Sequence, residues 1–367
     1  MGDIVSDSDG DQRVAVVIVV SYARPEEVVA CIDALAKSTL DRFEIVVVEN
    51  GGAREFDRLN VVLQAKYSSS LSRARLIGPV AELRGSDVRL RSRRYYLRGG
   101  QSLLAIDAND NLGYAGGVNI GLRSILPSDG WCGAWILNPD TEPAPNALTV
   151  VVEYARQHKC DLVGSRLVLK ASNRIQVYGG ARWIRLLGRA KNIGFGKPAD
   201  SPVDVALVER DLDWLSGAAT YATVEYVRSV GLMEEKYFLY CEDVDWSFRR
   251  GRFRLGYAHE SIVIHAHGTT IGSSHTKDKV SDLSVYLGAR NTLLLSREHF
   301  PHWYPLIVLS TILLLPDSLL RGNWRVFRAA WRGWLAGLRR EAGRPADLKE
   351  SGGQVVRAAG RGAGQSK

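Results

Sequence analysis

The sequence contains few cysteines, and those it has are not clustered. Four cysteines occur in 367 residues, at Cys31, Cys132, Cys160 and Cys241, and no two of them have the spacing of metal ligands. We therefore expect reduced thiols in a cytosolic compartment and no metal site built from cysteine.

The sequence also lacks a secretory leader, a clear membrane span and a Walker A loop. The first dozen residues are acidic and polar, without a basic region followed by an apolar one, and they predict a flexible tail at residues 1–12. One apolar stretch covers residues 303–320, but Pro305, Pro316 and Asp317 interrupt it, so its unbroken part is short for a span. No Gly-Lys-Ser/Thr sequence is present, which argues against a P-loop nucleotide site.

The overall composition is that of a folded basic protein. Apolar residues make up 46% of the chain, so a packed core is expected, and the formal net charge is +8. This charge can attract phosphates, anionic lipids or nucleic acid and does not by itself choose among them.

Buried strands and helices alternate in the first part of the chain. The β-branched run at residues 13–20 predicts a strand buried on both faces, and helical spacing follows over 25–36. Further strands are predicted at 44–48, 103–106 and 135–137, and mixed strands and helices follow from residue 161. The pattern predicts an α/β catalytic domain at 13–280, with a less regular basic insertion at 54–100, a helical region at 281–340 and a disordered tail at 341–367.

Polar clusters follow the predicted strands at the points where the strands end. They are Ser21-Tyr22, Glu49-Asn50, Asn109–Gly117 and Asn138-Pro139-Asp140. Ligands bind beyond the carboxyl ends of the strands in open parallel sheets, so these clusters predict a binding site, although each cluster alone could be an ordinary turn.

The segment at residues 111–119, Asn-Leu-Gly-Tyr-Ala-Gly-Gly-Val-Asn, is more specific. Its glycines Gly113 and Gly117 let the backbone approach a ligand closely, and Asn111 and Asn119 offer amide donors and acceptors. The spacing differs from the GxGxxG fingerprint, which argues against a Rossmann dehydrogenase.

Six motifs in their order along the chain carry a resemblance to a known family. They are VIVVSY at 17–22, VVVENG at 46–51, NLGYAGGVN at 111–119, LNPDT at 137–141, YCEDVDWSFR at 240–249 and HAHG at 265–268. The sequence resembles the inverting family 2 glycosyltransferases over about residues 13–300 and, within them, the bacterial rhamnosyltransferase-like group. The resemblance implies a GT-A fold, in which helices flank one mixed, largely parallel sheet.

The resemblance also implies a donor site. Tyr22, Glu49 and Asn111 would line the base and ribose pocket, although the family usually has Asp where Glu49 stands. Asp140 stands in the family's DxD motif and would bind Mg²⁺ or Mn²⁺ with help from His265. Asn138 replaces the first Asp of that motif and leaves a single carboxylate; a plain turn is the alternative.

The same resemblance places the catalytic base at Asp243. A carboxylate there would take the proton from the acceptor hydroxyl as its oxygen attacks the anomeric carbon. Glu242 would orient it, Trp246 would wall the acceptor pocket, and Gly217 would allow close approach of the substrate. The alternative is that these acids only stabilise a helix N-terminus.

The C-terminal region carries a basic helix rich in tryptophan. Trp324, Phe327, Trp331 and Trp334 recur at three- and four-residue steps within residues 323–340, among five arginines. This pattern predicts contact with an anionic membrane surface. Packing on the catalytic domain or on a second subunit, as in a homo-oligomer, is the alternative, and no nucleic-acid-binding module surrounds the helix.

Together these features predict an inverting hexosyltransferase on the inner face of the cell membrane. It would move a sugar, rhamnose by the group resemblance, from a dTDP- or UDP-linked donor to a hydroxyl of a glycan or lipid-linked acceptor, as in cell-wall or polysaccharide biosynthesis. The alternative is a nucleotide-sugar-binding or scaffold protein on the same fold whose catalysis is impaired.

Overall fold

The first elements form a parallel βαβ unit. A computed structural model describes residues 13–70, 90–97, 99–266, 281–316, 319 and 322–345. β1 (Val14–Ser21) and β2 (Phe43–Glu49) pair in parallel with Val17 opposite Ile45, and α1 (Pro25–Leu35) connects them. Alternate residues of β1 enter the two cores on opposite faces of the sheet, as expected for a strand covered on both sides.

The segment predicted as a less regular basic insertion, 54–100, contains a helix and strands. α2 spans Ala53–Lys66, because Phe56, Leu59 and Leu63 bury one helical face. β3 (Ser68–Ser70), β4 (Ser92–Tyr96) and β5 (Ser102–Asp107) follow, and antiparallel pairing joins β3 to β4 and β4 to β5. Arg89 and Arg98 lie outside the described residues.

The central part of the domain completes the sheet. Its helices are α3 (Gly113–Ile125), α4 (Ala147–His158), α5 (Val205–Asp211), α6 (Val224–Val230) and α7 (Glu242–Phe248). Its strands are β6 (Trp131–Leu137), β7 (Thr141–Pro143), β8 (Leu162–Leu169), β9 (Arg174–Tyr178), β10 (Gly180–Ile184), β11 (Arg189–Asn192), β12 (Trp214–Leu215), β13 (Ala219–Thr223) and β14 (Leu255–His265).

Eleven strands form one mixed sheet, which confirms the predicted α/β class. The order is β3-β4-β5-β2-β1-β6-β13-β8-β14-β7, with β9 paired to β8. β13 runs antiparallel to both β6 and β8, whereas β14 is parallel to β8. The strands β5, β2, β1, β6, β8 and β14 therefore all end at the same edge. A second sheet of three strands has the order β11-β10-β12.

Three helices follow the sheet: α8 (Asp282–His299), α9 (Tyr304–Leu314) and α10 (Trp324–Leu338). α10 packs closely on α8, because a Cβ placed on Gly333 would lie 2.1 Å from the carbonyl oxygen of Tyr286. Packing on α8, within the predicted helical region 281–340, thus accounts for one face of α10. The outer face still exposes Trp324 and Trp331.

The chain does not leave the domain where α10 ends. The backbone N–H of Gly343 donates to the Lys236 carbonyl at 2.6 Å, and Arg344 contacts the Asp110 carboxylate at 2.9 Å. The first residues of the predicted disordered tail are therefore docked, and residues 346–367 lie outside the described part. No helix in the described ranges combines the length and the hydropathy that a membrane crossing needs.

Candidate active site

The common edge of the parallel strands brings the predicted site residues to one side of the sheet. Ser21 ends β1, Glu49 ends β2, and His265 ends β14. Asp140 lies three residues beyond the end of β6, and its carbonyl oxygen accepts a hydrogen bond from the N–H of Ala266 at 3.0 Å. The polar clusters predicted from the strand ends therefore converge.

Glu49 is fully buried, and both of its carboxylate oxygens are engaged within the protein. Oε2 accepts from Ser21 Oγ at 2.6 Å, while Oε1 accepts from the N–H groups of Ala23 and Gly51 at 2.9 and 2.8 Å. Burial raises the pKa of Glu49, although these donors oppose the shift. Glu49 therefore fixes the loops that follow β1 and β2, and its contact with a base or ribose stays a prediction. Tyr22 beside it is 41% exposed and open to a ligand.

The glycine-rich segment is held by Asn50, a residue that the sequence analysis placed in a polar cluster without assigning it a role of its own. Asn50 donates to the Gly113 carbonyl at 2.7 Å and accepts from the N–H of Leu112 at 3.1 Å. Asn111 accepts from the N–H of Gly113 at 3.0 Å. Gly113 has φ +75°, and a Cβ there would lie 1.9 Å from the Phe238 carbonyl oxygen, so only glycine fits.

Two other residues of the segment face the protein interior, which corrects their predicted substrate contacts. A Cβ on Gly117 would lie 2.5 Å from Val20, so this glycine lets α3 approach β1. Asn119 is buried, and its amide bonds the Met233 carbonyl, the Met233 N–H and the Glu235 carboxylate at 2.9 to 3.0 Å. Asn119 therefore braces the segment that precedes α7.

Asp140 and His265 form the candidate metal site. His265 Nε2 lies 3.1 Å from Asp140 Oδ1, and Gln176 Oε1 lies 2.7 Å from His265 Nδ1. In the tautomer that donates from Nδ1 to Gln176, the Nε2 lone pair faces the carboxylate. One imidazole nitrogen and one carboxylate oxygen are suitable ligands for Mn²⁺ or Mg²⁺, and the second-nitrogen hydrogen bond is typical of metal-binding histidines. The donor set therefore fits a divalent cation.

Asp243 lies at the start of α7 and is held by the backbone. Its Oδ2 accepts from the N–H of Gly217 at 3.0 Å, and its Oδ1 accepts from its neighbour Val244 at 2.8 Å. A Cβ on Gly217 would press on this carboxylate at 3.2 Å, so the glycine makes room for Asp243. Burial raises the pKa of Asp243 despite the two N–H donors.

Tyr114 links the glycine-rich segment at residues 111–119 to the residues around Asp243. Its hydroxyl donates to the Gly217 carbonyl at 2.6 Å. Burial raises the pKa of Tyr114 well above its ordinary value, and the charges of Asp243, Glu242 and Asp140 add to the shift. The tyrosine is therefore close to all three carboxylates and remains a neutral hydrogen-bond donor.

Glu242 is buried beside Asp243 and has an unsatisfied oxygen. Among the described residues no group donates to its buried Oε2 atom. Burial first, and then the charge of Asp243, raises the pKa of Glu242. A neutral carboxyl next to a charged one is the arrangement in which the two acids take different roles.

The loop before α7 is strained and clamped from α8. Phe238, Tyr240 and Cys241 have φ of +64°, +69° and +74°, a region that residues with side chains rarely adopt. The Asn291 amide lies within 2.8 to 2.9 Å of the carbonyl oxygens of Tyr237, Leu239 and Tyr240. The clamp therefore determines where Asp243 is placed, and the sequence motifs gave no sign of Asn291.

Trp246 faces the core and not the acceptor side, which corrects its predicted role. It is buried, its indole N–H donates to the Gly231 carbonyl at 2.8 Å, and its ring packs edge-on against Tyr226 at 5.1 Å.

A second acidic group lies on the far side of α7. In the described ranges, Asp245, Glu298 and His299 are close enough together to share an ion. Arg249 donates to Asp245 at 2.7 Å, His299 lies 2.8 Å from Asp245, and Lys236 pairs with Glu298 at 2.5 Å. Burial would raise the pKa of Asp245, but His299 and Arg249 hold it lowered. The cations Arg249 and Lys236 make the group an ion-pair network rather than the candidate metal site.

The chain is similar to a curated hexosyltransferase. It is 24% identical over 232 residues to the low-salt glycan biosynthesis hexosyltransferase Agl10 of Haloferax volcanii, covering 61% of this chain and 68% of that protein. No protein-family model matches the chain. The predicted enzyme class, a glycosyltransferase, is confirmed at this coarse level.

The chain is also similar to solved structures. GalNAc-T7, determined with UDP, GalNAc and Mn²⁺, has a TM-score of 0.50 at 12% identity, over 79% of this chain and 55% of that one. Staphylococcus aureus TarS has a TM-score of 0.44 at 11% identity, over 83% of this chain and 43% of that one. The chain thus spans about half the length of these two proteins. The likeness to GalNAc-T7 shows the fold alone, and with the sheet order it confirms the predicted GT-A fold.

Proposed function

We propose that this protein is an inverting glycosyltransferase that takes its sugar from a nucleoside diphosphate. The donor would be UDP- or dTDP-linked, and rhamnose is the sugar that the sequence resemblance favours. The observation that carries the proposal is the placement of Asp243, whose two oxygens are held by backbone N–H groups and which lies with Tyr114 on the edge that carries Asp140 and His265.

The reaction uses Asp243 as the base. Asp243 takes the proton of the acceptor hydroxyl, the oxygen forms a bond to the anomeric carbon, and the bond from that carbon to the diphosphate breaks. The nucleoside diphosphate leaves with the bonding electrons. Attack from the face opposite the leaving group inverts the anomeric configuration.

Asp140 and His265 would hold the divalent cation in this proposal. When bound, Mg²⁺ or Mn²⁺ neutralises the negative charge that develops on the diphosphate. Tyr22 offers an exposed ring to the base at the end of β1, and Asn50 holds the glycine-rich turn open.

We also propose that the protein works at the inner face of the cell membrane on a glycan or lipid-linked acceptor. α9 supports this location, since Leu306, Leu309 and Leu313 are 50 to 70% exposed on a helix without charged residues. The aromatic ladder on α10, with Trp324 and Phe327 stacked at 5.4 Å, adds an exposed interfacial surface.

The test is a donor panel followed by product analysis. UDP-, dTDP- and GDP-sugars are added singly, binding is measured by thermal shift, and the product anomer is determined by NMR. A product with the opposite anomeric configuration to the donor is expected. Binding without transfer to any hydroxyl acceptor would support the impaired binding protein, and retention of configuration would refute the inverting mechanism.

A further inference from the structure

A separate cleft lies beyond the C-terminal end of α7. Its volume is about 210 Å³, smaller than a pocket for a whole substrate, so it suits one fragment of a larger molecule. The lining residues are Trp183, Arg185, Asp213, Phe248, Arg250, His299 and Phe300. None of them belongs to the donor site described above.

The chemistry of the cleft favours an anion. In the part of the chain that the structure describes, neither Arg185 nor Arg250 forms an ion pair; Arg250 donates to the carbonyls of Asp213 and Ser247, at 3.2 and 2.9 Å. Trp183 is only 7% exposed, and its buried indole N–H has no acceptor in the described ranges. The one carboxylate in the lining, Asp213, already accepts from the backbone N–H of Trp183 at 2.7 Å.

Both walls of the cleft continue into an apolar surface. Arg185 is followed by Leu186 and Leu187, which are exposed, and Ser310 of α9 donates to the Leu186 carbonyl. His299 and Phe300 end α8 and lead to the exposed Trp303 and to α9. A ligand with an anionic head and a hydrocarbon chain would find both environments side by side.

The cleft is also within reach of the base. Phe248 lies five residues from Asp243 along α7, a separation of about 8 Å along the helix axis. Gly217 lies four residues beyond Asp213 along mostly extended chain, so their Cα atoms are at most about 14 Å apart. A diphosphate in the cleft could therefore present a sugar attached to it at Asp243.

We propose that this cleft binds the diphosphate of a lipid-linked acceptor, with the lipid chain lying on the apolar surface of α9. This inference rests on the proposed transfer to a lipid-linked acceptor and names its head group. Arg185 and Arg250 supply the positive charge that the diphosphate requires.

The binding test uses the full chain with saturating UDP, so that the donor site is occupied. Farnesyl diphosphate is titrated against wild type, Arg185→Gln and the matched control Arg189→Gln, which alters an exposed arginine of the same hairpin outside the cleft. A bond to a charged group is worth about ten- to hundredfold in affinity, so Arg185→Gln should weaken binding by about that factor and Arg189→Gln should not. Equal loss in both variants, or none in either, would overturn the proposal.

Two further experiments are needed. The first compares a lipid diphosphate with inorganic diphosphate, and the second asks whether the cleft affects the transfer reaction. Inorganic diphosphate should bind more weakly than farnesyl diphosphate, and Leu309→Gln should weaken only the latter; equal affinities would overturn the lipid assignment. In transfer assays, Arg185→Gln should raise KM about tenfold for a diphosphate-linked lipid acceptor and leave KM for a neutral alkyl glycoside and for the donor unchanged. If no transfer occurs at all, the proposed function fails, whereas the binding arms still decide the cleft.

Discussion

Replacing Asp243 by Asn tests the catalytic assignment most directly. The amide keeps the shape of the side chain but cannot take a proton, and general-base catalysis contributes about 10²–10⁴-fold. The expected fall in kcat therefore corresponds to about 2.7–5.4 kcal/mol of transition-state stabilisation. Donor affinity should stay within about twofold, because Asp243 lies on the acceptor side of the donor site in the proposed geometry.

The structure adds a stability cost to this variant. Both oxygens of Asp243 accept backbone N–H groups, from Gly217 and Val244, and an asparagine oxygen can satisfy only one of them. The side-chain NH₂ group would then face a backbone N–H group, and the free energy of unfolding should fall by about 1–3 kcal/mol. A thermal melt with and without donor measures it, and Asp129→Asn, which alters an exposed acid paired to Arg228, is the control.

The pH profile gives an independent readout. Burial raises the pKa of Asp243, and the base works only when deprotonated, so kcat should fall as pH drops through a value above the ordinary Asp range near about 4. The residual rate of the Asn variant should lack this acid limb. Near-full turnover in Asp243→Asn, or an unchanged acid limb, would refute the assignment of the base.

The remaining predictions concern the metal, the glycine turn and the last helix. Excess EDTA should abolish transfer, and Asp140→Ala should weaken donor binding only when Mn²⁺ is present; full activity in EDTA would exclude the cation. Gly113→Ala should lower the melting temperature well below that of Gly251→Ala, since both have positive φ but only the first meets a carbonyl, at 1.9 Å; equal shifts would contradict the close contact with Phe238. Deleting residues 323–367 should destabilise the domain and reduce transfer, because α10 covers α8; an equally stable truncated protein that only leaves anionic vesicles would show that α10 serves lipid contact alone.

The sheet and its binding edge could be predicted because they depend on short stretches of sequence. A β-branched run such as residues 14–21 has few alternatives to a buried parallel strand, and parallel strands end together. The positions of Asp140 and His265 follow from that rule, although more than a hundred residues separate them.

The direction in which a side chain points was harder to predict. Glu49, Asn119 and Trp246 stand in motif positions, yet their polar atoms bond other parts of the chain. A motif gives the residue type and the order, but the partner is set by tertiary packing. The apolar face of α2 has a helical spacing in the sequence, at Phe56, Leu59 and Leu63. It was overlooked because charged residues surround these three positions.

The hydrogen bonds from Asn291 to the strained loop have a consequence for how the protein folds during its synthesis. The strands β1, β2 and β6 come early in the chain. Asn291, which holds the carbonyls before Asp243, comes about fifty residues after that loop. Chains fold from the N-terminus as they are synthesised. A nascent chain can therefore place its early strands while the loop before Asp243 is still unclamped, and in the proposed mechanism the capacity to transfer sugar arrives only when α8 has emerged and docked.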